Sequence, residues 1–474
     1  MVKTLFVLPT DKNAITLYSE PLGIMCLSAV VKRLGCLTAA VPANWRDLRA
    51  QVAAFQPDVL AFTATTGAHL TYEALAARVK REYPRLITIV GGPHPTYFPQ
   101  MIEKEGIDVI CRGEGELAFE EFVTRVEAGA DFSDVQNLWV KLPDGRVRQN
   151  PLRPEIRDLD TIPFPDRELC ARYYRRDVRW LITTRGCPFD CSYCFNHAYR
   201  KLYAGTGGKA VRYRSPANVI AELKTLLPLR PQPALFYFVD DTFDINRRWL
   251  LELLAAYKAE IGKPFFCIVR IDLMTEELAR ALAGAGCARV SVGIEAGNEA
   301  VRARILRRPM SDQAILDGCR YIREAGMRMR ALNILGIPPG DFETDWETLE
   351  LNLRCRPSHA SATLLTPFPM TELGDWVREQ GYWYDPDFGT FSRNQARERS
   401  VLRLRDKVAI EILHRLFPYV VRWPFLKQPV RWLCRQAGAF PRLADGFLAL
   451  RKPYRQFILW LYGLYARLVR RGGY

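Results

Sequence analysis

The sequence predicts an α/β protein made of two consecutive sheet domains and a basic, helical C-terminal region. Short apolar runs alternate with segments of helical spacing before residue 140, and the same alternation resumes after residue 176. Charge is the third observation, because residues 393–474 hold 18 Lys and Arg against 4 Asp and Glu, in a chain of net charge +15. We therefore predict domains at 1–140, 176–385 and 386–474, with a linker at 141–175.

The first domain is predicted to be a doubly wound, Rossmann-like parallel sheet. The predicted strands are residues 3–9, 58–63, 87–90 and 108–111, with helices over 21–34 and 72–83. Ligands of such sheets bind at the carboxyl ends of the strands. The turns Gly91-Gly92-Pro93-His94 and Gly113-Glu114-Gly115 fall at those ends.

The stretch 142–166 is rich in proline, arginine and aspartate and contains the turn signal Pro143-Asp144-Gly145. Proline restricts the chain in the folded and the unfolded state alike. We therefore predict an ordered linker that holds one domain over the other.

Three cysteines follow the predicted strand 180–184. Three residues separate Cys187 from Cys191, and two separate Cys191 from Cys194. Thiolates are the usual ligands of iron-sulfur clusters, and three of them leave one iron of a four-iron cluster open to a small molecule. The alternative is a structural zinc site, but such sites usually show two Cys/His pairs, and no second pair is visible in the sequence.

The cysteine pattern resembles the radical S-adenosylmethionine (SAM) superfamily. The resemblance implies that Cys187, Cys191 and Cys194 ligate a 4Fe-4S cluster whose free iron binds SAM. It also implies that an electron from an external donor passes through the cluster and cleaves SAM to a 5′-deoxyadenosyl radical. Tyr193 fills the position where the family has an aromatic residue beside the adenine.

Predicted strands at 235–239, 265–269, 289–292, 331–335 and 362–365 bring the count after residue 176 to about six, which fits the partial (β/α)6 barrel of that family. Barrel enzymes gather their reactive groups at the carboxyl ends of the strands. Asp240 and Asp241 lie at such an end and resemble the family's Gly-Gly-Glu motif in position, although the glycines are absent. The alternative is a solvated strand end or a helix cap.

Two later strand ends also resemble SAM-binding segments of the family. After the strand 289–292, the resemblance implies that Glu295 and Asn298 contact the methionine or ribose part of SAM. After the strand 331–335, it implies that the backbone at Gly336 lies against the adenine, and a plain Pro-Gly turn explains that segment equally well.

The first domain resembles the cobalamin-binding domain found ahead of many radical SAM domains. The resemblance rests on turns that contain Gly23, Gly91, Gly92, His94, Gly113, Glu114 and Gly115, and it implies that these residues bind cobalamin. Glycine lets the backbone approach a flat macrocycle closely, because it has no Cβ. The Asp-x-His-x-x-Gly motif that supplies an imidazole to cobalt elsewhere is missing, so we expect cobalt to be bound without that histidine.

The C-terminal region mixes arginines with tryptophans and tyrosines, and Phe457, Trp460, Leu461, Leu464 and Leu468 share one predicted helical face. Such a helix suits a membrane surface, and an interfacial tail would favour a lipid-like substrate. Packing on the barrel and RNA binding are the alternatives, although we do not expect nucleic acid as a partner. Scattered single cysteines and the lack of a signal peptide predict a cytoplasmic protein, at most peripheral at the inner face of the membrane.

Together these features predict a cobalamin-dependent radical SAM enzyme that methylates an unactivated carbon. Ring formation or oxidation of a porphyrin- or isoprenoid-type substrate without methyl transfer is the first alternative. A noncatalytic corrinoid- or RNA-binding iron-sulfur protein is the second.

Overall fold

The computed structural model describes residues 1–9, 20–174, 177–229, 232–383 and 399–436. Two sheets of mainly parallel strands make up most of the described chain, and residues 399–436 of the C-terminal region pack on the second sheet. In the described ranges, no helix is both long enough and apolar enough to cross a membrane.

The first sheet has seven strands in the order β2-β1-β3-β4-β5-β6-β7. Its strands are β1 (Lys3–Leu8), β2 (Leu37–Pro42), β3 (Val59–Thr63), β4 (Ile87–Gly91), β5 (Val109–Cys111), β6 (Leu138–Lys141) and β7 (Val147–Gln149). Its helices are α1 (Leu22–Arg33), α2 (Trp45–Phe55), α3 (His69–Glu82), α4 (Pro93–Tyr97) and α5 (Glu116–Glu127). The first five strands are parallel, and separate apolar clusters cover the two faces of the sheet. The predicted doubly wound sheet is thus confirmed, and its carboxyl edge is the expected ligand edge.

The sequence patterns missed β2 and α2, and they placed residues 141–149 in the linker. Instead, β6 and β7 form an antiparallel hairpin that continues the first sheet, and the predicted turn at Pro143-Asp144-Gly145 joins them. A strand pair of this kind buries only one face, so its short runs lack the continuous apolar pattern of central strands.

The second sheet has six parallel strands in the order β15-β14-β13-β12-β11-β8, as expected for a partial (β/α)6 barrel. Its strands are β8 (Val178–Leu181), β11 (Leu235–Phe238), β12 (Phe265–Val269), β13 (Cys287–Glu295), β14 (Arg328–Leu335) and β15 (His359–Leu364). A small antiparallel pair, β9 (Thr184–Arg185) and β10 (Arg212–Tyr213), lies at its mouth. Its helices are α6 (Phe195–Tyr203), α7 (Pro216–Leu226), α8 (Arg247–Glu260), α9 (Glu276–Gly284), α10 (Asp312–Glu324), α11 (Phe342–Cys355) and α12 (Glu372–Glu379).

Two helices form the described part of the C-terminal region, α13 (Lys407–Arg422) and α14 (Lys427–Gln436). Helix α13 packs on β15 and α11, and Val430 and Cys434 of α14 are buried in the core of the barrel. Basic side chains of α14 pair with carboxylates of α11, among them Arg431 and Arg435 with Glu343. The described part of the C-terminal region therefore packs on the barrel, which was one of the predicted alternatives. The predicted helical face from Phe457 to Leu468 lies outside the described residues.

Candidate active site

A cavity of about 510 Å³ lies where the carboxyl ends of the two sheets meet. The first domain contributes Gly23, Gly91, Gly92, Gly113, Glu114 and Gly115 to its wall. The barrel contributes Thr184, Arg185, Gly186, Asn196, Asp240 and Asp241. Apolar side chains such as Phe6, Ile24 and Leu27 fill much of the remaining wall. A mostly apolar cavity with few polar groups is typical of small-molecule and cofactor sites, which measure about 300–1,000 Å³.

The glycines of this wall serve different purposes. A Cβ at Gly23 would meet no atom within 4 Å, so this residue leaves room for a bound group. A Cβ at Gly92 would lie 2.8 Å from Thr63 Oγ1, and the φ of Gly92 is +99°. Gly113, with a φ of +72°, lies against the Tyr203 hydroxyl. Gly23 thus fits a macrocycle in the cavity, whereas Gly92 and Gly113 are needed for the backbone conformation itself.

A network of ion pairs joins the two domains beside the cavity. Glu114 accepts from Arg185 Nη1 through Oε1 at 2.8 Å and from Arg212 Nη1 through Oε2 at 3.1 Å. Arg185 also pairs with Glu116, and Arg212 pairs with Glu155 at 2.8 Å. Burial acts to raise the pKa of Glu114, but the two arginines outweigh it and hold that pKa below its usual value. The network keeps both walls of the cavity in one fixed arrangement.

His94 is not among the side chains that line this cavity. Its ring stacks on His69 with 3.8 Å between the centroids, and its Nδ1 lies 3.1 Å from Thr66 Oγ1. Burial lowers the pKa of His94 to about 3, so the ring is neutral at physiological pH. A contact between His94 and cobalamin stays a prediction, and the placement of the ring favours the stacking role.

The three cysteines stand in the loop between β9 and α6, at the mouth of the barrel, and all three are free thiols. Arg200 of α6 donates to the carbonyl oxygens of Cys187 and Phe189, the latter at 3.0 Å. Ser192 Oγ donates a hydrogen bond to the carbonyl oxygen of Ile305 at 2.6 Å. Hydrogen bonds to α6 and to Ile305 therefore hold the loop in place.

Two buried arginines place positive charge against this loop. Arg308 Nη1 lies 3.9 Å from Cys191 Sγ, and its Nη2 donates to the carbonyl oxygen of Gly293 at 2.9 Å. The guanidinium of Arg270 lies 3.6 Å from the ring centroid of Phe189 and pairs with Asp272 at 2.8 Å. Buried cations offset the negative charge of thiolates and of an anionic cluster. The donor set and its surroundings therefore fit an iron-sulfur cluster.

Tyr193 and Glu295 meet beside the same loop. Tyr193 hydrogen-bonds to the Glu295 carboxylate. Burial has the largest effect on the pKa of Glu295 and raises it, although Arg308 and Tyr193 act in the opposite direction. Glu295 has a φ of +66° and lies at an irregularity in the pairing of β13 with β14. Positive φ in a non-glycine residue is strained, and strained residues tend to cluster at functional sites.

Asp240 and Asp241 both line the cavity but differ in their contacts. Asp240 Oδ1 accepts from the backbone and side chains of Thr183 and Thr184 at 2.5–3.0 Å. Its other oxygen is buried without a partner, and burial raises the pKa of Asp240 to about 6. Burial also raises the pKa of Asp241, which accepts from Asn196. One carboxylate oxygen of Asp240 thus holds the segment that follows β8 through hydrogen bonds, and the other can accept a hydrogen bond from a bound ligand.

Asn298 and Gly336 have structural partners. Asn298 accepts from the backbone of Val301 at 3.0 Å and donates to Glu347 at 2.9 Å. The backbone N–H of Gly336 donates to buried Asp345 at 2.7 Å. These contacts account for both residues without a ligand, so their role in SAM binding stays a prediction.

The structure thus brings eight of the predicted residues to one cavity: Gly23, Gly91, Gly92, Gly113, Glu114, Gly115, Asp240 and Asp241. Sequence reasoning missed Arg185, Arg212, Asn196 and Arg308. Arg185 and Asn196 carried a signal, because each stands two residues from a cysteine of the loop. Arg212 and Arg308 come from separate elements that only tertiary folding brings to the site.

Comparisons with known proteins agree with this arrangement. Residues 13–123 match the B12 binding domain, and residues 181–351 match the radical SAM superfamily. A protein of Pyrococcus horikoshii named "Uncharacterized methyltransferase PH0819" is 28% identical over 392 residues, which cover 80% of this chain and 83% of that one. The anaerobic magnesium-protoporphyrin IX monomethyl ester cyclase of Rubrivivax gelatinosus is 29% identical over 70% of this chain, and the match spans 61% of the cyclase, under two thirds of its length.

The fold is similar to that of the radical SAM methyltransferase TsrM from Kitasatospora setae, solved with cobalamin and a 4Fe-4S cluster bound. The TM-score is 0.66 at 18% identity, with 81% of this chain and 80% of TsrM covered. The chain thus contains a B12 binding domain ahead of a radical SAM domain, and the strand ends of both domains face one cavity.

Proposed function

We propose that this protein is a cobalamin-dependent radical SAM methyltransferase that adds a methyl group to an unactivated carbon of a small molecule. One observation carries the proposal: a single cavity has the glycine edge of the first sheet on one wall and the mouth of the barrel on the other. The substrate carbon would have to lie near the SAM site on one wall and near the corrinoid on the other, so this reaction would require such a shared space.

Cys187, Cys191 and Cys194 would hold a 4Fe-4S cluster, with Arg308 beside Cys191 as a compensating charge. When bound, the cluster supplies the electron that cleaves SAM to a 5′-deoxyadenosyl radical, and it receives that electron from an external donor. Tyr193, Asp240, Asp241 and Glu295 are the candidate SAM contacts at the barrel mouth, with Asn298 and Gly336 further along it.

The wall that contains Gly23, Gly91 and Gly115 would hold cobalamin, which when bound supplies the methyl group. The protein's own residues position and shield these groups. Glu114 and Arg185 fix the distance between the walls, and Phe6, Ile24 and Leu27 exclude water from a site where a radical must be protected.

The test is to purify the protein without oxygen from iron- and cobalamin-replete cells and to measure iron, sulfide and corrinoid per chain. We expect about four irons and one corrinoid in the wild type. Cys191→Ala should lose the iron and SAM cleavage, whereas Cys36→Ala, which removes a buried thiol outside the loop, should keep both. Iron without corrinoid, even after added hydroxocobalamin, would exclude the methylcobalamin part of the proposal.

The similarity to the cyclase of Rubrivivax gelatinosus favours a second candidate, ring formation or oxidation without methyl transfer. SAM with a deuterated methyl group separates the two reactions. Label in the product supports methyl transfer, and product formation without label supports the cyclase type. A noncatalytic protein would bind the cofactors and show no SAM cleavage under reducing conditions.

The nature of the substrate, beyond a small molecule, remains part of the proposal. A lipid-like substrate met at the inner face of the cytoplasmic membrane would suit the basic residues of the C-terminal region. Cosedimentation of the full chain with anionic and neutral vesicles tests this, and equal binding to both would contradict it.

A further inference from the structure

The inner face of the barrel sheet carries a row of basic side chains near the amino ends of its strands. In the strand register, Arg289 of β13 pairs with Arg328 of β14, and Arg330 pairs with His359 of β15. Paired residues of parallel strands point to the same face, as do residues two apart on one strand. All four side chains therefore project from the same side of the sheet.

These arginines lack acidic partners. In the ranges that the structure describes, no carboxylate lies within 4.0 Å of Arg289, Arg328 or Arg330. By contrast, buried Arg167 pairs with Glu20 at 2.6 Å and with Glu222 at 2.7 Å. Burial has the largest effect and lowers the pKa of Arg289; the charges of Arg330 and Arg328 lower it further, against the opposing effect of Tyr237. Repulsion within the row disfavours this arrangement unless an anion joins it.

Solvation alone does not account for the row. Arg328 and His359 are exposed, but Arg289 and Arg330 are half-buried, and their Nε atoms are buried without a hydrogen-bond partner. Buried polar atoms usually find a partner. The two guanidinium groups are therefore held partly out of water and keep unused donors.

An apolar path leads from these cations toward the mouth of the barrel. The guanidinium of Arg289 lies 3.8 Å from the ring centroid of Phe266, which is paired with Arg289 in the strand register, so this ring lies beside the cations. Ile268 and Leu332 project from the same face further along their strands. From Arg289 to the candidate SAM contact Glu295, strand β13 covers about 20 Å at the usual rise per residue.

We propose that Arg289, Arg328 and Arg330 bind a phosphoryl group at one end of an elongated substrate whose apolar body lies along the inner face of the barrel. Guanidinium groups match the oxygens of phosphate in pairs, and three of them suit a doubly charged group better than a single carboxylate. The phosphate would anchor the substrate, so that a carbon far from the charge reaches the mouth of the barrel. The reaction at that carbon rests on the proposed function, whereas the binding does not.

The experiment measures the binding of n-octyl phosphate to the full chain by calorimetry at low salt, without SAM or reductant. Inorganic phosphate and octanol serve as comparison ligands. We expect saturable binding at one site that is tighter for octyl phosphate than for either comparison ligand. R289Q/R328Q/R330Q should weaken it by at least about 30-fold, because each charge-assisted hydrogen bond contributes substantially to affinity.

R46Q/R157Q/R248Q is the matched control, because it removes the same charge from three exposed arginines that have no ion pair in the described ranges. It should change the affinity by less than about twofold. R289K/R328K/R330K keeps the charges but loses the paired guanidinium donors, so it should bind more weakly than the wild type and more tightly than R289Q/R328Q/R330Q. R330Q alone should weaken binding by about tenfold, which provides a readout if the triple Gln variant does not fold.

Equal affinity of the wild type and R289Q/R328Q/R330Q for octyl phosphate would overturn the proposal, as would an equal loss in R46Q/R157Q/R248Q. A wild-type protein that binds octyl phosphate but does not cleave SAM, or holds no corrinoid, would reject the proposed function and still support the phosphate site. Intact SAM cleavage without octyl phosphate binding would reject the site alone.

Discussion

Glu114 and Arg185 connect the two domains at the wall of the cavity, with 2.8 Å between Glu114 Oε1 and Arg185 Nη1. Glu114 stands in the turn after β5, and Arg185 stands two residues before Cys187. The exposed fractions of the two side chains are 9% and 25%. The ion pair thus links the candidate cobalamin wall to the candidate cluster loop through a largely buried contact.

Glu114→Gln should lower the free energy of unfolding by about 2–4 kcal/mol, because Arg185 and Arg212 would stay buried with one charge partner fewer. Urea denaturation followed by circular dichroism measures the change. Glu105→Gln is the control: it breaks an ion pair with Arg81 in which both side chains are 64% exposed, and it should cost less than about 0.5 kcal/mol. Equal effects in the two variants would show that the interdomain pair carries no special weight.

Gly23→Leu should reduce the corrinoid content strongly and leave the thermal midpoint near that of the wild type, because the new side chain enters open space in the cavity wall. Gly284→Leu places the same side chain in open space away from the cavity and should keep the corrinoid. Absorbance spectra and corrinoid content per chain measure the outcome. Full corrinoid content in Gly23→Leu would place the macrocycle elsewhere.

Gly92→Ala should behave in the opposite way and destabilise the fold by about 1–3 kcal/mol, since positive φ is costly for any residue with a Cβ. The added Cβ would also lie 2.9 Å from the carbonyl oxygen of Ala64. Chemical denaturation of the cofactor-free protein measures this. A variant as stable as the wild type would mean that the turn relaxes without cost.

Arg308→Met should shift the reduction potential of the cluster to more negative values by tens of millivolts, because an added electron would lose a nearby buried cation. An EPR-monitored redox titration measures the potential. Arg307→Met removes a neighbouring arginine whose side chain is 55% exposed, and it should shift the potential much less. The reverse order of effects would argue against a cluster beside Cys191.

The stability of the protein should depend on pH through Asp345, whose pKa burial raises to about 8. The unfolded pKa is much lower, so the folded state binds a proton that the unfolded state releases. The resulting stabilisation is complete below the unfolded pKa and is lost as pH rises through about 8. Asp345→Asn cannot ionise and should lose less stability than the wild type between pH 5.5 and pH 8.5, a difference of about 1–3 kcal/mol.

Denaturation curves at several pH values measure this slope. Asp317→Asn is the control, because partly exposed Asp317 has a lowered pKa and stays ionised throughout that range. Parallel stability curves for the wild type and Asp345→Asn would show that Asp345 titrates near its ordinary pKa in the fold.

The sequence alone determined the two-sheet architecture, the cysteine loop and the glycine-rich turns. The alternation of apolar runs with helical segments is a local pattern. It is clearest for the central strands of parallel sheets, because both faces of those strands are buried. The cysteine spacing is local as well, since one loop supplies all three thiols. These features could be predicted because each depends on residues that are close together in the chain.

Only the tertiary structure decided which of the predicted residues share a site. Asp240 and Glu114 come to one cavity from different domains, whereas His94, only two residues after Gly92, turns away to stack on His69. The hairpin at 138–149 and the row of Arg289, Arg328 and Arg330 likewise depend on which strands become neighbours. Strand order and side-chain direction follow from packing over long sequence separations, and no local pattern records them.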